Sequence, residues 1–179
     1  MSIQLFFPDQ VTPEAVADYQ RRNREFLAPF EPHRPEEYYT VPFWKHLLFQ
    51  QLEEMQRGEA ICFYIAEALG ADRVIGSISL TGIIRGAFCS GYLGYRLDRE
   101  YLGRGYMTEA VSQMVDYAFN AAGLHRVEAN VMPRNKPSLR VLEKCGFHSE
   151  GVARAYLRIN GVWEDHVHMV KLNDDWREM

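Results

Sequence analysis

At 179 residues the chain has the length of one domain, spanning 1–179 around a single core. With 47% hydrophobic and 25% charged residues, it has the composition of an ordinary folded protein and not of a disordered one. A net charge of -4 argues against a general nucleic-acid binder, and no apolar run approaches the ~20 residues that cross a membrane.

The start MSIQLFFPDQ lacks the basic residues and the small-residue cleavage site of a signal peptide. Cys62, Cys89 and Cys145 are far apart and odd in number, which reads as reduced core thiols in a cytoplasmic protein. SIQLFF reads as a short strand. TPEAVADYQRRNREFL reads as a helix, with Thr12 as N-cap and Pro13 at the first helical position. APFEPHRPEEYYTVP, rich in proline and aromatics, reads as an ordered loop of the kind that binding surfaces use. PFWKHLLFQQLEEMQRG is a second helix, entered through Pro42 and stopped by Gly58. ICFYIAEA, RVIGSISLTGII and CSGYLGYRLD are successive strands, rich in β-branched and aromatic residues. LGAD fits a hairpin turn between the first two, and Gly86 either separates the second from the third or marks a bulge.

The period then switches. Met107, Ala110, Val111, Met114, Tyr117, Ala118 and Ala121 form one helical face, and Gly123 ends it. RVEANV is a strand and KPSLRVLEKC a short helix. GVARAYLRI and VWEDHVHMVKL close the chain as a hairpin around Asn160-Gly161. The order β-α-α-β-β-β-α-β-α-β-β predicts a mixed sheet with helices on its faces.

Gly103-Arg104-Gly105 stands directly ahead of the third helix. Amides at a helix N-terminus are free donors carrying partial positive charge, so phosphates bind there. Glycines let a phosphate approach without meeting a Cβ, and Arg104 adds charge; a flexible strand–helix turn explains the same residues. A dinucleotide fingerprint needs a third glycine three residues after Gly105, where Thr108 stands, and no Gly-Lys-Ser/Thr run of a Walker loop occurs. Further on, NKPSLRVLEKCGF has Asn135 as a natural N-cap. Pro137 has no N–H, so the amide it caps is that of Ser138. Gly146 suits the left-handed position after the helix, and Phe147 can pack back on Leu142. These boundaries have a purely structural account as well as a functional one.

Taken together, in this order and spacing, LGRGYMTEAV and NKPSLRVLEKCGF resemble the acetyl-CoA loop and following helix of the GNAT acetyltransferase superfamily. The resemblance extends through NREFLAPFEP, IIRGAFCSGYLGYRL and YLRINGVWEDHV. Those pieces are most similar to the RimJ/RimL group, which acetylates the N-terminal amines of ribosomal proteins, and closer to the RimJ branch, which acts on an N-terminal alanine. The resemblance implies an α/β (α+β) fold: a mixed, mostly antiparallel sheet of about seven strands flanked by about four helices. A splayed parallel pair, here YLGYRLD and RVEANV, would form the cofactor slot. It implies acetyl-CoA as acetyl donor and a protein N-terminus or small amine as acceptor; the residues themselves add the expectation of no metal, no nucleic-acid or membrane partner, and a cytoplasmic monomer or homodimer. Backbone groups of Tyr95, Arg96 and Leu97 map to the pantetheine contact. Gly103, Arg104, Gly105, Tyr106, Met107 and Thr108 map to the pyrophosphate loop, and Asn135 to a place beside the cofactor arm. The family motif Gln/Arg-x-x-Gly-x-Gly/Ala falls on Leu102, Gly105 and Met107. Leu102 lacks the polar side chain, a small loss where backbone amides do the binding, and RimL-like proteins also carry methionine at the last position.

Amine acetylation needs a neutral amine, a base or a water chain to one, an acid for the departing thiolate, and an oxyanion donor. Ser138 occupies the serine that the RimL likeness assigns to the thiolate, against a plain reading as an early-helix residue. The tyrosine many superfamily members carry further along this helix is Leu142 here. Glu128 and Asn130 share a strand face. Asn130 stands where a related subgroup has its catalytic glutamate, and an amide cannot be that base. Glu128 would act through water, or else simply pair with a nearby arginine or lysine. A second glutamate proposed for RimL falls on Leu157. His166 and His168 share a strand face and offer two metal ligands without a third, which reads as exposed strand histidines. Phe26, Phe30, Glu31 and Tyr39, with Tyr38, Phe43 and Trp44, either line the acceptor groove or pack helices. The rival functions are a small-molecule amine acetyltransferase and a non-catalytic acyl-CoA-binding module.

Overall fold

The computed structural model describes residues 2–67, 70 and 72–177. In chain order the elements are β1 (Ile3–Phe6), α1 (Pro13–Leu27), α2 (Val41–Gln56), β2 (Ile61–Glu67), β3 (Gly76–Ile84), β4 (Ser90–Leu97), α3 (Tyr106–Asp116), β5 (Arg126–Val131), α4 (Lys136–Lys144), β6 (His148–Ile159) and β7 (Val162–Leu172). The order matches the sequence pattern; the predicted turn LGAD lies partly outside the described residues, although β2 and β3 pair antiparallel as a hairpin requires. Gly86 separates β3 from β4 in a turn.

The local signals act as chemistry dictates. Thr12 Oγ1 accepts from Ala15 N at 3.2 Å and starts α1. Asn160 and Gly161, with φ of 45° and 83°, make the left-handed pair that a tight hairpin turn needs. The aromatic loop between α1 and α2 is held by two short 3-10 turns, Ala28–Phe30 and Glu36–Tyr39. One boundary differs: the third helix is α-helical only to Asp116, and Tyr117–Ala121 winds as a π turn. The wider turn lets Ala122 N reach Tyr117 O and Leu124 N reach Ala118 O, both at 2.9 Å, and delivers the chain into β5.

Seven strands form one sheet in the order β1-β2-β3-β4-β5-β7-β6. Every neighbouring pair is antiparallel except β4 and β5, which are parallel. Period-two alternation splits the core between two faces. Phe63, Ile65, Ile78, Leu80 and Val127 pack under α3 and α4 with Val111, Met114 and Leu142. Tyr64 and Val74 pack under α1 and α2 with Val16, Tyr19, Trp44 and Leu48. Each such side chain, fully buried, contributes about 1.5–3 kcal/mol. Gly76 permits the closest approach in the sheet: a Cβ there would stand 2.6 Å from the Arg96 carbonyl oxygen.

Candidate active site

The parallel strands pair only at Ser90 with Arg126, Gly91 with Val127 and Tyr92 with Glu128. β4 then runs on to Leu97 and β5 to Val131 without meeting. The parted edges leave backbone donors and acceptors facing a cleft of about 710 Å³, lined by Leu93 to Leu97 on one side and Ala129 to Met132 on the other. Tyr95, Arg96 and Leu97 lie on the β4 wall of this cleft.

The glycine loop closes one end of this cleft, and buried polar groups hold it there. Asp98, 2% exposed, accepts from Glu100 N at 3.0 Å and pairs with Arg22 of α1. Asn23 Oδ1 accepts from Arg99 N at 3.0 Å. These bonds fix the short turn Arg99–Tyr101 that feeds the loop. Gly105 is the N-cap of α3 with φ of 81°, a left-handed conformation that any residue with a Cβ adopts only under strain. A Cβ at Gly103 or Gly105 would meet no atom within 4 Å, so the space before the helix is open. The first amides of α3 have no partner within the helix. Leu102, Gly103, Gly105, Tyr106, Met107 and Thr108 all line the cleft, whereas Arg104 does not. Its guanidinium donates to Glu100 O at 2.9 Å and lies 4.8 Å from the Tyr101 ring centre.

α4 forms the facing wall. Asn135 Oδ1 accepts from Ser138 N at 3.3 Å, as the capping argument predicts. Its C-terminus is a Schellman cap: Phe147 N reaches Leu142 O and Gly146 N reaches Glu143 O, both at 3.0 Å. The Tyr95 hydroxyl, projecting from β4, lies 2.8 Å from Ser138 Oγ and 3.1 Å from the Ser138 carbonyl oxygen. Burial pushes the Tyr95 pKa well above the usual phenol range, and the bond to Ser138 only partly opposes it. Tyr95 therefore stays protonated; its single proton can go to the Ser138 carbonyl or to Oγ, and either hydroxyl can be the donor between the two side chains.

The opposite face of the sheet forms the second mouth. Phe26, Phe30, Glu31, Arg96, Arg134 and His166 line it. Glu31 Oε1 lies 2.8 Å from Arg96 and Oε2 lies 3.6 Å from Arg34. Burial works against the Arg96 charge, but Tyr38 and Glu31 outweigh it and raise its pKa. The mouth is braced from both sides. Asn160 N at the hairpin tip donates to Glu31 O at 2.9 Å, and Arg134 bridges Pro29 O (3.1 Å) and Glu164 (2.7 Å).

Two candidates lie elsewhere. Glu128 is buried but outside the cleft lining, at the closed end of the slot, and accepts from Arg126 Nε at 2.8 Å. Tyr39 is outside it as well, under the Arg24 guanidinium at 4.4 Å and packed edge-on against Tyr38. His166 and His168 are not exposed, contrary to the sequence expectation. β7 is an interior strand between β5 and β6, so His166 is 3% exposed and lines the cleft. Arg134 carries no local sequence signal, because nothing nearby in the chain marks a loop residue that closes against the distant Glu164. Among the described residues there is no group of three or more His, Cys, Asp or Glu placed to hold a metal ion.

The profile of the family described as "Acetyltransferase (GNAT) domain" matches residues 9–148. A probable N-acetyltransferase, YjcK, of Bacillus subtilis (strain 168) is 49% identical over 156 residues, 87% of this chain and 86% of its own. The ribosomal-protein-S5-alanine acetyltransferase from Vibrio fischeri superposes with a TM-score of 0.92 at 40% identity, over 98% of this chain and 94% of that one. Mycobacterium smegmatis RimJ, solved in complex with CoA-disulfide, superposes with a TM-score of 0.87 at 26% identity, over 98% of this chain and 83% of that one. The family match spans most of the chain and the likeness to these acetyltransferases runs through nearly all of it, so the chain belongs to the GNAT acetyltransferase family.

Proposed function

We propose that the chain carries the acetyl group of acetyl-CoA to the α-amine at a protein N-terminus in the cytoplasm, the kind of reaction for which the Vibrio fischeri protein is named. The observation that carries the donor half is the slot itself. Unpaired edges of β4 and β5 suit an extended amide-bearing arm such as pantetheine, and they lead to the open N-terminus of α3, which suits a pyrophosphate. Bound acetyl-CoA supplies the activated acyl group. Tyr95, Arg96 and Leu97 orient its arm through their backbone, the Gly103–Thr108 loop takes the phosphates, and Asn135 sits beside the arm. Ser138, held by Tyr95, gives its proton to the departing sulfur.

The acceptor half rests on charge. Glu31 is the only carboxylate in the cleft lining among the described residues, and Arg96 and Arg34 already engage it. A polyamine would require free carboxylates, whereas a peptide brings a single amine and a neutral backbone that Phe26 and Phe30 can flank. The deciding experiment incubates the protein with acetyl-CoA and a panel of N-terminal peptides, amino acids and polyamines, read by mass. Peptides that begin with a small residue such as alanine should gain one acetyl group, fastest of the panel. Preferential acetylation of spermidine or free amino acids would replace this reading with a small-molecule one, and no transfer to any amine would leave an acyl-CoA-binding module.

A further inference from the structure

The proposed reaction needs a group that takes a proton from the acceptor amine. The glutamate that a related subgroup uses is Asn130 here, and Glu128 is bound to Arg126 outside the cleft. One titratable side chain in the acceptor mouth has the right free atom. His166 Nδ1 lies 3.0 Å from the carbonyl oxygen of Glu164. A carbonyl oxygen only accepts, so Nδ1 carries the ring proton of the neutral imidazole and Nε2 keeps its lone pair. Among the described residues Nε2 has no hydrogen-bond partner, and the ring lines the cleft.

The surroundings fix this ring. Tyr156 of β6 packs against His166 at 5.7 Å and against His168 at 4.9 Å between ring centres. His168 is the register partner of Asn130 on β5. Asn130 Nδ2 lies 3.5 Å from the Tyr156 hydroxyl, while Asn130 Oδ1 and His168 Nε2 are buried with no hydrogen-bond partner among the described residues. Buried polar atoms left free in this way are costly unless a bound molecule satisfies them. The charged groups near His166 are already paired: Glu164 on its own strand with Arg134 from the β5–α4 loop, and Glu31 before α2 with Arg96 of β4. The ring therefore faces no unpaired carboxylate from these elements.

We propose that His166 is the general base of the acetyl transfer, a role that rests on the amine-acetyltransferase reading above. The bound ammonium passes one proton to His166 Nε2 and becomes a nucleophile. Its lone pair forms the C–N bond at the thioester carbonyl, the C–S bond breaks, and the sulfur leaves with the electron pair. The amine's second proton is lost as the amide forms, and the sulfur takes one from Ser138, whose hydroxyl is restored from that proton. His166 then releases its proton through the open mouth to solvent, and one proton per turnover is net released. Ser138 and Tyr95 thus serve the sulfur from the α4 side, and His166 serves the nitrogen from the side of the α1–α2 loop.

The test is the pH dependence of kcat at saturating acetyl-CoA and acceptor peptide. The wild-type profile should fall on the acid side, because protonated His166 accepts nothing. His166→Gln should lower kcat by about 100-fold and abolish that acid limb, while acetyl-CoA still raises the melting temperature as in the wild type. His166→Ala should regain turnover in proportion to added imidazole. Should the alanine variant fail to fold, the glutamine profile decides. A His166→Gln enzyme with wild-type kcat, or with reduced kcat and an unchanged acid limb, overturns the base role and leaves the acetyltransferase reading standing. A wild-type protein that binds acetyl-CoA and acetylates nothing overturns the function first, and the base role with it.

Discussion

Ser138 and Glu128 show how far a single residue can be read before its neighbours are known. The place of Ser138 at the start of α4 was legible because its evidence is local: the capping asparagine, the proline and the serine lie within four positions of one another. The partner that matters, Tyr95, comes from a strand 43 residues away, and no spacing rule predicts that 2.8 Å contact. Ser138→Ala should lower kcat by about 100-fold while acetyl-CoA affinity changes little, read by steady-state kinetics beside calorimetry. Tyr95→Phe should act in the same direction and more weakly, since it loosens the Ser138 hydroxyl while leaving it in place. Wild-type turnover in Ser138→Ala would take the serine out of the chemistry. Glu128→Gln should do the reverse. It weakens a buried charge-assisted bond to Arg126 and should cost about 1–3 kcal/mol of stability, while Glu150 still holds the arginine. Turnover should stay near wild type; a large drop in kcat with unchanged melting would return Glu128 to the site. Arg104 carries a related lesson. Its charge is visible in the sequence, but the Glu100 carbonyl and the Tyr101 ring that claim it are not.

At the scale of elements, caps and periodicity did most of the work. Thr12, Asn135, Gly146 and the Asn160-Gly161 turn each bound an element where the sequence puts one, because the bonds that end a helix or close a hairpin are made within a few residues. What periodicity cannot give is strand order. The closing hairpin was plain, but nothing in it tells which of β6 and β7 faces β5. The answer decides whether His166 meets solvent or the cleft. The glycine turn ahead of α3 allows two substitutions that separate backbone strain from ligand contact. Gly105→Ala adds a Cβ that meets nothing within 4 Å but must hold φ near 81°, at a cost of roughly 1–2 kcal/mol. It should lower the melting temperature and keep acetyl-CoA binding. Gly105→Glu adds bulk and negative charge where a pyrophosphate would sit, and should abolish binding in calorimetry. Unchanged affinity in the glutamate variant would move the phosphate site away from α3.

The whole molecule is two sheet segments held side by side by a short seam. β1 to β4 pair strand by strand, as do β5, β7 and β6, with local register shifts in β3–β4 and β6–β7, but only three residue pairs join β4 to β5. The seam is reinforced by the core under α3 and α4 and, at the far end, by Asn160 and Arg134 reaching across to the α1–α2 loop. The three thiols are buried, and burial pushes the Cys62 pKa up to about 12, so this cysteine is neutral as well as inaccessible at pH 8. A ligand lying along the parted edges would contact both segments and bind the folded chain alone. Linkage then gives about 2.7 kcal/mol of added stability at acetyl-CoA one hundred times its dissociation constant. For a chain of this size that is a rise of roughly 5–10 °C in melting temperature. Free CoA should give nearly the same rise, because the arm and phosphates carry most of the contact. Adenosine, lacking both, should give little. The same ligands should slow the reaction of the three thiols with a chromogenic disulfide under mild denaturant, since those thiols are buried in the folded chain and react when it opens. Equal melting temperatures with and without millimolar acetyl-CoA would show that the slot does not hold the donor.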